Sequence, residues 1–399
     1  MRLVIFLWIK KLCLYMKFVI DAKKIWAWPH ESDVLIYDAC GIETLLKYLH
    51  PWSPEVLHVR NEFINIPVLL HCLLSRSKKT DAYTDCFIKK VNPKLIVTFI
   101  DNNSRFYTIS QRHPSVKTMF IQNGVRAYYD AFDPLEQLPI ETRNLLTVDY
   151  MLSFGSNIGA EYKRYVKGNV VSVGSLKNNH VTKKHATKNN VVAYISQWHP
   201  NGIVINNVFQ SHEIFFKSVD QAIIKFLVSY VGRKNKQLVV IPRNFKGSLE
   251  RASEEAYFRE LAGKDVVFFE PIGTYGSYQA VDKVGVVVGV DSSLIYEAIA
   301  RGTKAAIFSI RSKLIGDKSR SYGWPGIYED DGPFWTNNLD SKSFERIMDY
   351  LFKINHHQWQ ALLTEHAFAN VMEYDPDNKT LKSLLEKELG SLPSRTNTD

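Results

Sequence analysis

Residues 283–308 read KVGVVVGVDSSLIYEAIARGTKAAIF, and no other stretch restricts the fold of this chain so tightly. Val284–Val290 is uniformly apolar and short, the mark of a strand covered on both faces. It runs into Asp291-Ser292-Ser293, residue types that begin helices by accepting bonds from the first amides. A helix carrying Glu297-Ala298 follows, Gly302 ends it, and Ala305–Phe308 starts a second apolar strand. The spacing predicts a strand–turn–helix–strand unit of a parallel sheet. It places free amides and two short hydroxyls at a helix N-terminus, where a diphosphate or phosphodiester is held. Glu297, one helical turn on, is within reach of a ribose diol. Serines also cap helices that bind nothing, so Ser292 and Ser293 are consistent with either role.

The same alternation runs through the chain. Asp33–Tyr37, Glu55–Val59, Lys94–Phe99, Thr118–Ile121, Met151–Phe154 and Val170–Val173 read as strands, with helices expected over Ile42–Leu49 and Phe63–Leu74. A second set follows at Val191–Ile195, Leu238–Ile241, Val266–Phe269, Val284–Val290 and Ala305–Phe308. Strands alternating with helices imply α/β architecture with parallel, doubly wound sheets, and 399 residues suffice for two such domains. We divide the chain into a basic apolar N-terminal segment (1–30), a first Rossmann-like domain (31–175), a polar linker (176–190), a second domain (191–340), C-terminal helices (341–390) and a tail (391–399). Ligands of such sheets bind beyond the strands' carboxyl ends. Asp38, Arg60, Asp101 and Gln122–Gly124 are therefore expected to face one crevice.

A hydrophobic fraction of 45% and a charged fraction of 23% exclude a disordered chain. The net charge of +9 suits anionic partners such as nucleotide donors, phosphorylated lipid carriers or an acidic membrane face. No zinc finger, helix-turn-helix or RNP-type motif points to nucleic acid. Cys13, Cys40, Cys72 and Cys86 lack CxxC spacing and read as reduced, mostly buried thiols of a cytoplasmic protein. In Met1–Ile20, Lys10, Lys11 and Lys17 interrupt the apolar residues, so no run spans a bilayer. An interfacial helix, with Trp8, Trp26 and Trp28 at headgroup level, fits these residues. So does a first helix packed on the N-terminal domain. The protein is thus expected in the cytoplasm, either free or peripheral on anionic inner-membrane lipids.

Segments DVLIYDACG, VLHVRNEFINIPVLL, VNPKLIVTFIDNN, FIQNGVR, YISQW, VDSSLIYEAIARG and YGWP…DDGPFWTN resemble bacterial surface-carbohydrate biosynthesis proteins, glycosyltransferases of the GT-B type. The resemblance covers most of Asp33–Asn338. The SS-x3-EA-x3-G stretch with a later aromatic-Gly-Trp is also similar to capsule β-Kdo transferases and, more distantly, to CDP-glycerol polymerases. The resemblance implies a GT-B-like fold, two Rossmann-like domains facing a central crevice. It implies transfer of a sugar from a nucleotide-sugar donor, CMP-Kdo among them, to a glycan or lipid-linked acceptor of O-antigen or capsule. A CDP-alditol phosphotransferase, a non-catalytic assembly partner and a UDP-sugar epimerase are the competing classes.

On that reading Ser292, Ser293 and Glu297 hold the donor. Arg243, past the strand LVVIP, neutralises the leaving phosphate with help from Lys246, and Gly273 in Pro271-Ile272-Gly273 presents backbone to the base. His199, in an His-Pro pair like that of CMP-sugar transferases, contacts the donor phosphate or acts as an acid. The acceptor-side base is sought at Asp101, Asp38 or Glu62, strand-tip residues that partial desolvation would make stronger bases. Each is equally suited to capping a helix. Gln122, Asn123 and Arg126 are candidates for sugar binding, Arg126 as the bidentate partner of a carboxylate sugar. Trp324 is expected to stack on a sugar or to close a lid. Asp330-Asp331 lies in a loop that does not follow a strand, so neither a catalytic metal nor another cofactor is expected.

Overall fold

The computed structural model describes residues 21–60, 62–74, 81–183, 188–205 and 208–390. In chain order the strands are β1 (Lys23–Ile25), β2 (Val34–Tyr37), β3 (Glu55–Leu57), β4 (Phe63–Asn65), β5 (Leu95–Thr98), β6 (Lys117–Ile121), β7 (Thr147–Ser153) and β8 (Lys167–Ser172). The second half contributes β9 (Lys188–Ile195), β10 (Ile203–Ile205), β11 (Val208–Gln210), β12 (Gln237–Ile241), β13 (Val267–Phe268), β14 (Val284–Gly289), β15 (Ala305–Phe308) and β16 (Trp335–Thr336). They form two six-stranded sheets, ordered β3-β2-β5-β6-β7-β8 and β13-β12-β9-β14-β15-β16, with every pairing parallel. Two small pairs, β1–β4 and β10–β11, lie outside them.

Uniformly apolar strands fold this way because both faces are covered. Along β2, Leu35 and Tyr37 enter one core while Val34 and Ile36 enter another. The same alternation holds for Ile96 against Leu95 and Val97, and for Phe120 against Met119 and Ile121. Both sheets are doubly wound: β2 connects to β3 on one side while β5 joins on the other, and β9 is flanked likewise by β12 and β14. This is the GT-B-like α/β class expected from the sequence. A crevice opens where strand order reverses, beyond β2/β5 in the first sheet and beyond β9/β14 in the second.

Three local readings change. Phe63–Leu74 is not one helix: Phe63-Ile64-Asn65 forms β4 against β1, and the helix runs Ile66–Leu74. Asn65 makes the break, since its Oδ1 accepts from Val68 N at 3.1 Å and its Nδ2 donates to Ala27 O at 2.8 Å. The stretch taken as a polar linker begins with a helix, Leu176–His180, in which Asn178 and Asn179 are buried. Their amides tie the domains together, Asn178 Nδ2 to Glu297 O at 3.1 Å and Asn179 Nδ2 to Asn378 Oδ1 at 3.0 Å. Cys40 is exposed and Cys72 and Cys86 are half-buried, so these thiols are less enclosed than their composition suggests.

The chain crosses between domains a second time. Helices Ser341–Lys353 and His356–Glu365 pack on the second domain through Phe344, Ile347, Met348 and Trp359. After a turn at Phe368–Asn370 the chain passes beside the first crossing, where Gly174 pairs with Tyr374. Gly174 has φ +70, and a Cβ there would strike the Glu373 carbonyl, so only glycine fits. The last helix, Lys379–Leu389, then inserts Leu381, Leu385 and Leu389 into the core of the first domain. Among the described residues no helix is long and apolar enough to cross a membrane. The expectations on Met1–Ile20, Cys13 and the tail from 391 lie outside the described residues.

Candidate active site

The second sheet's reversal point gathers three strand ends: Ser196–His199 after β9, Asp291–Ser293 after β14 and Ser309–Arg311 after β15. Ser292 is the N-cap of the helix Ser293–Ala300, its Oγ accepting from Leu294 N at 3.3 Å. Ser293 Oγ instead accepts from Val125 N of the first domain at 2.8 Å. Beside them Asp291 is almost wholly buried between Arg311 and Arg320. Arg311 Nη1 bonds Asp291 Oδ1 and, at 3.2 Å, Gln197 Oε1, while its Nε donates to Phe215 O at 3.0 Å. Its guanidinium lies 4.4 Å from the Phe215 ring centre. Buried Nη2 of Arg311 has no hydrogen-bond partner among the described residues. Arg320 reaches Asp291 at 3.5 Å, Asp317 at 3.3 Å and, across the crevice, Asp130 at 3.4 Å. Burial pushes the Asp291 carboxyl up, but the two guanidinium groups outweigh it and hold the carboxyl below its ordinary range.

Asp291 and Arg320 line a narrow interdomain cleft together with Gln122, Arg126, Ser321 and Trp324. The structure therefore brings three predicted sugar contacts, Gln122, Arg126 and Trp324, to the end of the predicted phosphate helix. Asn123 meets Arg126 directly through its Oδ1. Space at the centre of the cleft is only about 30 Å3, room for one or two waters. Gln122 holds the floor, its Oε1 accepting from Phe154 N at 2.7 Å and its Nε2 donating to Gly124 O at 2.8 Å.

The carboxylates behave differently from expectation. Asp101 is wholly enclosed: Arg126 Nε donates to Oδ2 at 2.7 Å, Arg126 Nη2 and Asn123 N donate to Oδ1, and Tyr162 OH donates to Oδ2. Burial disfavours the Arg126 charge, yet the adjoining carboxylate more than restores it, and Arg126 holds its proton more tightly than a free guanidinium. Every lone pair of Asp101 that faces a donor is used, so it is not poised to take a proton from an acceptor hydroxyl. Nor do all first-domain strand tips share one crevice. Asp38, Arg60, Asn102, Asn103 and Arg105 line a separate cavity of about 440 Å3 at the first sheet's reversal point. Asp101, bonded to Arg126 of the cleft and followed by Asn102 of the cavity, fills the ground between. Asp38 is buried at φ +82, with Arg60 Nε donating to Oδ2 at 2.6 Å and Cys40 N to Oδ1 at 2.9 Å. Glu62 is exposed at the start of β4 and lines neither space.

On the donor side Glu297 is buried behind the helix, accepting from Ser175 Oγ and, at 3.1 Å, from Tyr278 OH. Burial raises its carboxyl above the ordinary value, and these two hydroxyls offset only part of the rise. The expected ribose contact would require Glu297 to release Ser175. His199 is turned into its own loop, with Asn201 N donating to Nδ1 at 3.2 Å. Arg243 is exposed and reaches only Trp198 O, at 3.4 Å. Gly273 sits at φ +70 on an exposed turn. None of these three lines the cleft. Among the described residues no group of three His, Cys, Asp or Glu side chains converges as metal ligands do. Asp330 pairs with Lys313 at 2.6 Å and Asp331 accepts from Asn338. Arg311 and Arg320 were not singled out from sequence, although Arg311 stands three residues past a buried strand, one residue farther than Arg243 stands from its own.

Two parallel, doubly wound sheets that meet at an interdomain cleft define a two-domain α/β fold of GT-B type. The chain belongs to the family described as "putative O-antigen biosynthesis protein", whose family model matches residues 119–389. No curated protein sequence matches it. Among solved structures it is similar to MnaA of S. aureus with UDP, at 13% identity and TM-score 0.49, covering 93% of this chain and 99% of that one. It is also similar to the UDP-GlcNAc 2-epimerase of Methanocaldococcus jannaschii, at 9% identity and TM-score 0.49, over 89% and 99%. A wall teichoic acid polymerase, TagF with CDPG, matches at 9% identity and TM-score 0.45, over 89% and 88%.

Proposed function

We propose that the protein is a glycosyltransferase of O-antigen or capsule biosynthesis that takes its sugar from a nucleotide donor bound between the two sheets. The observation that carries this is the meeting, in one interdomain cleft, of the helix that starts at Ser293 with Arg320 and its partner Asp291. In this reading the donor phosphates lie on the first amides of that helix and against Arg320. As the bond from the anomeric carbon to the phosphate oxygen breaks, negative charge grows on that oxygen, and fixed amides and a cation stabilise it without reorganising. Arg311 positions Arg320 by fixing the shared carboxylate from behind. Of the strand-tip carboxylates, Asp38 lines a cavity open to solvent and is the candidate for the acceptor-side base; Arg60 must release it, and the domains must move so that its cavity joins the donor cleft. A nucleotide sugar needs a site of several hundred Å3, so the bonds Val125–Ser293 and Thr44–Tyr275 must part to admit it. A transferred ulosonic acid such as Kdo would meet Arg126, whose Nε and Nη2 already serve Asp101 and Asn123.

A thermal-shift series with CMP, CDP, UDP, GDP and dTDP on the wild type and on Arg320→Lys tests the reading. A ligand at about 100 times its Kd adds about 2.7 kcal/mol. One nucleotide family should stabilise the wild type, and Arg320→Lys should weaken that effect. A cytidine response directs the turnover assay to CMP-Kdo, and product mass separates sugar transfer from phosphoalditol transfer. No response to any nucleotide would sink the proposal.

A further inference from the structure

Away from the cleft, the first domain carries an apolar surface that the rest of the described residues leave uncovered. Trp26 is 74% exposed, Leu73 65% and Leu74 83%, with Trp28 and Leu70 also on the outside. These come from segments some forty residues apart, and the β1–β4 pair unites them by setting Ile25 opposite Asn65 at the start of the helix Ile66–Leu74. Asn65 then holds the Trp26–Trp28 stretch by bonding Ala27 O, and the Trp28 ring meets His71 on that helix edge-on, 6.1 Å between centres. The leucines fall at Leu70, Leu73 and Leu74, the i, i+3, i+4 stripe of a helix with an apolar partner, yet here the stripe faces outward.

Charge around the patch is positive. Lys90 lies 4.7 Å from the Trp28 ring centre, and Lys23 lies 5.6 Å from that of Phe63. Lys24 and Lys89 add to these cations; of the carboxylates in this region, Asp21 and Glu62 are exposed, and Asp85, beside Lys89, is paired with Arg112. The sequence entering the patch, residues 1–20, carries Arg2, Lys10, Lys11 and Lys17 without an acidic residue, and residues 75–80, which leave it, read SRSKKT. A basic rim around exposed Trp and Leu opposes self-association of two like-charged copies but complements an anionic bilayer, where Trp sits at headgroup depth and Leu below it.

We propose that the surface formed by Trp26, Trp28 and the outer stripe of the helix Ile66–Leu74 docks on anionic lipid, independently of the donor chemistry. The test is co-sedimentation of the full chain with phosphatidylglycerol-containing vesicles and with pure phosphatidylcholine vesicles, together with analytical ultracentrifugation without lipid. The wild type should bind the anionic vesicles only, and raised salt should weaken the binding. Leu73→Glu/Leu74→Glu should reduce partitioning by about tenfold or more, since it removes the apolar anchor and adds repulsion. These positions are exposed, so the melting temperature should hold. No binding, or binding that the pair of substitutions leaves unchanged, would overturn the proposal. So would a lipid-independent dimer that the same pair dissolves.

Discussion

Each domain buries an aspartate next to the interdomain cleft against arginine, Asp101 in the first and Asp291 in the second, and the two pairs are built to opposite ends. In the first domain, Asp101 receives two bonds from Arg126 and further ones from Tyr162 and Asn123, and the group is closed. In the second, Asp291 is shared by two arginines, one of which keeps a buried N–H group without a partner among the described residues while the other faces the cleft. Removing one member of a closed buried pair costs several kcal/mol because the other charge is stranded. Arg311 braces Asp291 from behind, while Arg320, at the cleft wall, is held by contacts of 3.3–3.5 Å and can turn toward an incoming anion at small cost. Burial and an ion pair therefore do not mark a site by themselves; a loosely held cation at an accessible wall does.

The contrast can be broken in several ways. The largest effect should come from Asp101→Asn, which strands Arg126 and should lower stability by about 3–5 kcal/mol in urea unfolding. Nucleotide binding by the second domain should survive where the fold does. Full stability with lost turnover would return Asp101 to the role of base. Next, Arg320→Ala should cut turnover by about 10²–10³-fold, as loss of one charge-stabilising donor does, with Arg320→Lys in between. Equal loss in both would mean that fork geometry matters and charge alone does not. Ser292→Ala should cost about 1 kcal/mol through the lost cap, read as a fall in melting temperature, with a weaker nucleotide shift if its hydroxyl also meets phosphate.

The smallest effect is a pH dependence of opposite sign at two carboxyls. Asp291, held below its unfolded value near 3.8, contributes stability that is present above that value and lost as pH falls through the folded pKa. Glu297 is held above its unfolded value of 4.5, so the native state keeps a proton that the unfolded chain releases. Its contribution falls as pH rises from 4.5 through the folded pKa. Glu297→Gln still accepts from Ser175 and Tyr278, and should flatten that fall and slightly raise stability at neutral pH, read from urea midpoints across pH. A lower midpoint at neutral pH would mean that the carboxylate is needed ionised.

Much of this architecture is legible in the residues because it rests on local rules. Val284–Phe308 announced its strand, turn and helix through uniform burial and a serine cap, and the other parallel strands did so through the same uniform apolarity. The breaks came where a long-range partner decides. Phe63–Asn65 is apolar enough for a helix and becomes a strand only because β1 lies alongside. Leu176–His180 looks like linker until its asparagines find Glu297 and Asn378. The site failed in the same manner. Asp101 has the sequence context of a base, and only the fold reveals that Arg126 and Tyr162 already claim it. Arg320 stands in the polar stretch after β15, where sequence offers no strand tip, and it reaches the cleft only through its pairing with Asp291, Asp317 and Asp130.

The helix Lys379–Leu389 has a consequence for the order of events during synthesis. Leu381, Leu385 and Leu389 complete one face of the first sheet beside Val34, Val97 and Leu152, so the domain made first lacks part of its core until this helix, more than 200 residues further on, has been added. While the ribosome is still translating the second domain, the first one has an unfinished apolar face that must be shielded or left waiting. A stop codon at about position 378 would thus disable the first domain, far in sequence from where the lesion lies.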